Sequence, residues 1–290
     1  SSMNLDNPTE LVLSYSRAMM AWLLFADPPV HITQIGLGGG SFARWIDACL
    51  PDCRQTAVEI NPNVIAVARG LFELPFEGET FEIVEADGAQ YVKTLRGGTD
   101  IILTDGFDGE QIIDDLVSPG FFADCRQALS DKGIFMTNWW SGDKRYPRFV
   151  ADLKEAFDGK VLEVPAESHG NIAVMAFRQT PAELNLDSLK KRAEQLARQY
   201  PLDFPALFSA CLLSHSLFSG LRGTFFLTSC IAFTVCCNRI VFQRFKDDCG
   251  LLYPLQTAPL QEVFPRKGIF GTGLHGMLPV KNIARPYLET

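Results

Sequence analysis

The sequence predicts an α/β protein built on a mixed seven-stranded sheet with helices on both faces. Three observations carry that expectation. Short apolar runs alternate with capped or amphipathic segments between residues 31 and 177. The first four of those runs each end in a glycine turn or an acid. The last two follow one another around a tight turn, with no helix between them. Strands alternating with helices imply a parallel sheet with right-handed crossovers, and a closing pair of consecutive strands implies a mixed edge.

Taken in order, Asn7-Pro8-Thr9-Glu10 offers a capping Asn, Pro at the first helical position and Glu at the third, which predicts a helix running to about Phe25. Leu11, Val12, Leu13, Met19, Met20, Trp22, Leu23 and Leu24 make it apolar on most faces, so it should be buried. Pro28-Pro29 ends it. Strand 31–36 then leads into helix 41–50, closed by Pro51. Strand 55–60 is followed by Asn61-Pro62, again cap then Pro, opening helix 61–72. Strand 81–85 precedes a short helix at 89–95, and strand 100–104 precedes helix 119–129. Strand 133–137 precedes helix 146–157, and strands 160–164 and 172–177 close the sheet around His169-Gly170-Asn171. Residues 186–200 read as an amphipathic helix with Leu189, Ala193, Leu196 and Tyr200 on one stripe.

This gives an organisation of four parts: an N-terminal helical segment (1–30), a nucleoside-binding catalytic domain (31–180), an amphipathic helix (181–204) and a C-terminal segment of unclear structure (205–290). In that last segment Arg222 is the only charge between Phe204 and Asn238, yet neither half is a good membrane span. No function is placed there.

Bulk composition narrows the function. The 290 residues are 47% hydrophobic, enough chain to bury a core, and carry a net charge of −8. Residues 1–205 hold 18 Lys and Arg against 30 Asp and Glu, a net of −12, and residues 206–290 hold 8 against 4, a net of +4. An acidic body argues against a nucleic-acid binder held by phosphate contacts. The eight cysteines include no C-x-x-C pair and the four histidines lie far apart, so neither a disulfide framework nor a metal site is expected. With no basic segment ahead of an apolar run at the start, a reduced, cytoplasmic protein with no membrane partner is expected.

The chemistry lies at the strand ends. Gly36, Gly38 and Gly40 allow a tight turn and close approach of a ligand at a helix N-terminus, a signal shared by dinucleotides and S-adenosyl compounds. Glu59, 23 residues on from Gly36, is placed to accept from two ribose hydroxyls. Asp87-Gly88 ends the third strand, where the acid suits an adenine amino group as well as a helix cap. Asp105, Asp108, Glu110, Asp114 and Asp115 put five carboxylates into eleven residues after the fourth strand. The last three fit a solvated loop, whereas Asp105 is carried from the core into the ligand crevice by Ile101-Ile102-Leu103-Thr104. Partly desolvated like charges attract a cation, and a di- or polyamine is one. An amine must be neutral to attack a sulfonium-bound carbon, so a carboxylate must hold it and help remove its proton. Asp105 is the candidate for that role, with Asp108 as its partner. Trp139 and Trp140 either wall an acceptor site or cap the core, and His169 is a further candidate amine contact.

In these residues, from about Ile32 to Phe177 and so over roughly half the chain, the sequence resembles the spermidine synthase family, the polyamine aminopropyltransferases. The resemblance implies a Rossmann-like fold of the S-adenosylmethionine-dependent methyltransferase type. It implies decarboxylated S-adenosylmethionine as co-substrate, no permanently bound cofactor and an amine acceptor. By resemblance Glu59 holds the ribose, Asp87 the adenine, Asp105 is the catalytic acid/base and Asp108 contacts the amine. Gly170-Asn171-Ile172-Ala173 resembles the family's late Gly-x-Ile segment.

The departures are local. Gly39 stands where the family's turn has an Asp that helps hold the aminopropyl amine, which leaves S-adenosylmethionine open as the donor. Thr137-Asn138-Trp139-Trp140 replaces Gln-Gly-Glu, Glu167-Ser168-His169 stands where a tyrosine is expected, and the N-terminal β-hairpin domain is reduced or absent. The runner-up readings are a methyltransferase and a binding protein without turnover. The oligomeric state is open, a homodimer being among the choices.

Overall fold

A computed structural model describes residues 1–106, 112–168, 170–181 and 185–212. Seven strands form one sheet in the order β3-β2-β1-β4-β5-β7-β6. They are β1 (His31–Ile35), β2 (Arg54–Glu59), β3 (Phe81–Glu85), β4 (Thr99–Thr104), β5 (Leu129–Trp140), β6 (Val161–Pro165) and β7 (Asn171–Phe177). The first five are parallel to one another, whereas β7 runs antiparallel to both β5 and β6. The chain order reverses between β1 and β4, which opens a crevice at their carboxyl ends.

Side-chain alternation explains why helices cover both faces. Ile101, Leu103, Ile134, Met136, Ala173 and Met175 point into one core. It is shared with α1 (Ser14–Met19), the 3-10 turn Met20–Leu24, α2 (Ser41–Cys49), α7 (Leu186–Gln199) and α8 (Phe204–Leu212). Ile102, Phe135, Val174 and Ala176 point the other way, against α4 (Gly88–Val92), α5 (Pro119–Ala128) and α6 (Tyr146–Ala156). A third, smaller cluster joins α2 through Ala43 to α3 (Pro62–Leu71) through Ile65 and Ala68. The cap read at Asn61-Pro62 is in place: the Asn61 side chain accepts from Asn63 N–H, and Pro62 follows it. The stripe Leu189, Ala193, Leu196 and Tyr200 is buried.

Two elements differ from the sequence expectation. The N-terminal helix starts at Ser14, not at Asn7-Pro8, where the chain makes a single turn closed by Glu10 N–H on Asn7 O at 3.0 Å. Leu13 is extended, and Arg17 donates to the carbonyls of Leu11 and Val12, so those groups are spent outside a helical ladder. One turn of good capping chemistry does not propagate when local side-chain bonds spend the next carbonyls and Leu11 is drawn into the core. The fifth strand is longer than 133–137, because Trp139 and Trp140 pair with Ile172 and Asn171 of β7. Among the described residues no helix is long and apolar enough to cross a membrane, and Cys49, Cys53, Cys125 and Cys211 are free thiols. Of the segment 205–290, whose structure the sequence left unclear, residues 205–212 belong to α8 with Cys211 in the core, and residues from 213 onward lie outside the described residues.

Candidate active site

The crevice at the ends of β1, β2, β3 and β4 is a cleft of about 870 Å³. Its floor is the glycine turn after β1. Gly36 has φ +93°, and a Cβ there would sit 2.6 Å from the carbonyl oxygen of Asp105 on the neighbouring strand. Only glycine lets β1 and β4 come this close as they leave the sheet. Gly38 follows in the turn, and Gly40 ends it as the N-cap of α2. The turn is braced from behind by Arg44, 3% exposed, which donates to the carbonyls of Gly39, Phe72 and Pro8. At Gly88 the constraint is packing: a Cβ would meet Ile35 Cγ2 at 2.3 Å.

One half of the cleft presents Glu59 and Asp87. Glu59 Oε2 accepts from Leu37 N–H at 3.0 Å and Oε1 accepts from Asn61 N–H at 3.0 Å. Its carboxylate is thereby fixed between the glycine turn and the start of α3, with lone pairs left on both oxygens. Asp87 caps α4, Oδ1 accepting from Gln90 N–H at 3.1 Å, and its side chain lines the same cleft. Both the capping and the cleft-facing positions anticipated for Asp87 are therefore occupied by one residue.

The other half is built around Asp105, half-buried at the end of β4. Tyr15 Oη donates to Asp105 Oδ2 at 2.8 Å, and Asn138 Nδ2 donates to Asp105 Oδ1 at 3.1 Å. Asn171 Nδ2 donates to Asn138 Oδ1 at 3.0 Å. Burial pushes the Asp105 carboxyl above the usual carboxylate range, and the hydrogen bonds from Asn138 and Tyr15 oppose that rise. Burial, then the Asp105 charge, push the Tyr15 phenol above its ordinary value, so Tyr15 stays a donor. The segment carrying Tyr15 is tied to the turn between β6 and β7: Ser14 Oγ lies 2.9 Å from Ser168 Oγ, and Arg17 Nη2 donates to Glu167 Oε2 at 2.8 Å.

The structure thus brings together Gly36, Gly38, Glu59, Asp87, Gly88 and Asp105 along one cleft, with Gly40 at the head of α2 behind the turn. Trp139 is not on that cleft. It is 1% exposed, on the opposite side of β5, packed against Phe122, Tyr146 and Phe149. Its neighbour Trp140 is 51% exposed at the strand end, against Gly142 and Gly170. Asp108 and His169 lie outside the described residues. Sequence reasoning missed Tyr15, Asn138 and Asn171 as site residues. The signal for the first was a polar Ser14-Tyr15-Ser16 island inside an apolar run; for the second, an Asn within a strand that is otherwise core. Among the described residues no group of three His, Cys, Asp or Glu side chains is arranged to hold a metal ion.

Fold and site together define a class: Rossmann-like transferases of the methyltransferase and aminopropyltransferase type. Comparison with known proteins narrows it. Residues 13–143 match the spermine/spermidine synthase domain. A polyamine aminopropyltransferase of Neisseria meningitidis is 67% identical over 225 residues, covering 77% of this chain and 82% of that protein. In fold, human methyltransferase-like protein 13 in complex with SAH aligns with a TM-score of 0.59 at 24% identity, over 64% of this chain and 91% of its own. A spermidine synthase in complex with the transition-state analogue AdoDATO aligns with a TM-score of 0.55 at 18% identity, over 68% of this chain and 72% of its own. The chain belongs to the spermine/spermidine synthase family.

Proposed function

We propose that this chain is a cytoplasmic aminopropyltransferase that moves the aminopropyl group of decarboxylated S-adenosylmethionine onto a di- or polyamine. The observation that carries the reading is the Asp105 carboxylate, desolvated in the cleft that also holds the glycine turn, Glu59 and Asp87. The name of the Neisseria relative supports the same activity. Glu59 accepts from the ribose hydroxyls and Asp87 from the adenine amino group, so the nucleoside lies along the strand ends with its sulfonium toward Asp105. The acceptor nitrogen attacks the aminopropyl carbon attached to sulfur. A C–N bond forms, the C–S bond breaks, and its electron pair neutralises the sulfonium to give methylthioadenosine. Asp105 accepts the proton that the amine must lose. Burial raises its pKa, which makes it a stronger base than an exposed carboxylate. Tyr15 and Asn138 orient its two oxygens.

One observation favours a second reading. Gly39, in place of an acid, leaves its N–H directed into the cleft, where Ser1 Oγ accepts it at 2.8 Å. A donor there suits a carboxylate tail, as S-adenosylmethionine has, and would make the protein a methyltransferase. The test is mass spectrometry of reactions with either donor and a panel of diamines and polyamines. Methylthioadenosine, with an amine heavier by one aminopropyl unit, is expected from the decarboxylated donor. S-adenosylhomocysteine from S-adenosylmethionine, with no methylthioadenosine, would replace the proposal by the methyltransferase reading.

A further inference from the structure

We infer that Asn171 is a positioning residue for Asp105 that acts through Asn138, fixing the Asn138 carboxamide with its NH2 toward the carboxylate. The inference rests on the reading of Asp105 as the base. Asn138 is opposite Ala173 and Trp140 is opposite Asn171 in the antiparallel β5–β7 pair. Asn171 is therefore the diagonal neighbour of Asn138 on one face, a separation set by the backbone ladder. The side chains complete a chain of three: Asn171 Nδ2 to Asn138 Oδ1 at 3.0 Å, then Asn138 Nδ2 to Asp105 Oδ1 at 3.1 Å.

Asn138 is 4% exposed, so water does not decide which way its amide faces. The two ends of a carboxamide are nearly the same size, and only their partners tell them apart. With Asn171 donating, the oxygen of Asn138 is spoken for and its NH2 is left for Asp105. Turned the other way, Asn138 would set an acceptor against a desolvated carboxylate, which holds a proton on Asp105 and removes its ability to take one from the amine. Among the described residues, Tyr15 from α1 faces Asp105, with Asp115, Glu59 and Asp87 along the same cleft. None of them touches Asn171 among the hydrogen bonds of the described residues.

Asn171→Asp gives the sharpest test, because a carboxylate can only accept and so turns the Asn138 NH2 away from Asp105. Asn171→Ala merely frees it. The readout that does not need turnover is carboxyl-carbon NMR titration of labelled aspartate, with the Asp105 signal assigned by its loss in Asp105→Asn. Asp105 should titrate about one pH unit higher in Asn171→Ala than in the wild type, and higher still in Asn171→Asp. The acid limb of the kcat/KM profile should move by the same amount, with the KM for donor unchanged. In an Asn138→Ala background, Asn171→Ala should add nothing. An unmoved Asp105 titration in Asn171→Ala, or an equal shift with and without Asn138, would overturn the inference. A wild type that titrates as expected yet transfers nothing would instead overturn the aminopropyltransferase reading and leave the relay standing.

Discussion

The half of the cleft that holds Glu59 and Asp87 is tied by hydrogen bonds reaching 22, 2 and 3 residues along the chain. The half around Asp105 is tied by bonds reaching 90 and 33 residues, and the segment carrying Tyr15 by contacts spanning 154 and 150. One half is a property of strand ends and their next helix. The other exists only when α1, β4, β5 and the β6–β7 turn have all come together. Nucleoside binding and amine activation should accordingly be separable by mutation, and they should respond differently to partial loss of tertiary structure.

The largest effect is expected at Asp105. Asp105→Asn should lower aminopropyl transfer by about a thousandfold or more, since a positioned acid/base contributes roughly 10²–10⁴ and an orienting charge is lost with it. Stability should move the other way. A carboxyl whose folded pKa is raised costs stability once the pH exceeds the ordinary carboxylate range, and costs nothing when both folded and unfolded chains are protonated. Asp105→Asn removes that cost, so its melting temperature at neutral pH should equal or exceed that of the wild type. A large drop would mean that Asp105 is structural.

Glu59→Ala comes next. Hydrogen bonds to a charged acceptor contribute about 1.5–3 kcal/mol, so loss of the ribose contacts should raise the KM for donor by roughly ten- to hundredfold and leave the KM for amine within a factor of two. An equal rise in both would break the division of the cleft. Tyr15→Phe should follow, with kcat lower by about tenfold. Its acid limb should shift upward, because loss of a donor to the ionised form favours the protonated one. The two tryptophans close the series. Trp139→Ala should cost about 3–5 kcal/mol of stability through the cavity it leaves, measured by denaturant unfolding, while Trp140→Ala should change stability by less than about 1 kcal/mol.

The same division explains what was legible in the sequence. The sheet, the alternation of strands and helices, and the placing of the glycine turn, Glu59 and Asp87 at the strand ends could all be read, because these signals lie within a few residues of their structural consequence. Asp105 could be read as well, since an apolar strand delivers it. Tyr15, Asn138 and Asn171 could not, for each takes its meaning from a partner on another element. The adjacent tryptophans show the limit from the other side. On a strand, neighbouring residues face opposite ways, so Trp139 goes to the core and Trp140 to the surface. Which of the two goes inward depends on the register of β5 against β7, and no local pattern states it. The early start expected for the first helix failed for a related reason: Asn7-Pro8 is a sound local signal, but Arg17 bonds to the carbonyls of Leu11 and Val12 and, with Ser14, to Glu167 and Ser168 on another segment.

The most direct measurement is calorimetric binding of methylthioadenosine to the wild type, Asp105→Asn and Glu59→Ala, paired with product formation from decarboxylated S-adenosylmethionine and a diamine on the same samples. Asp105→Asn should bind the nucleoside within a factor of two of the wild type while forming product about a thousandfold more slowly, and Glu59→Ala should bind it roughly ten- to hundredfold more weakly. Retained transfer by Asp105→Asn, or nucleoside binding unaffected in Glu59→Ala, would contradict this division of the cleft.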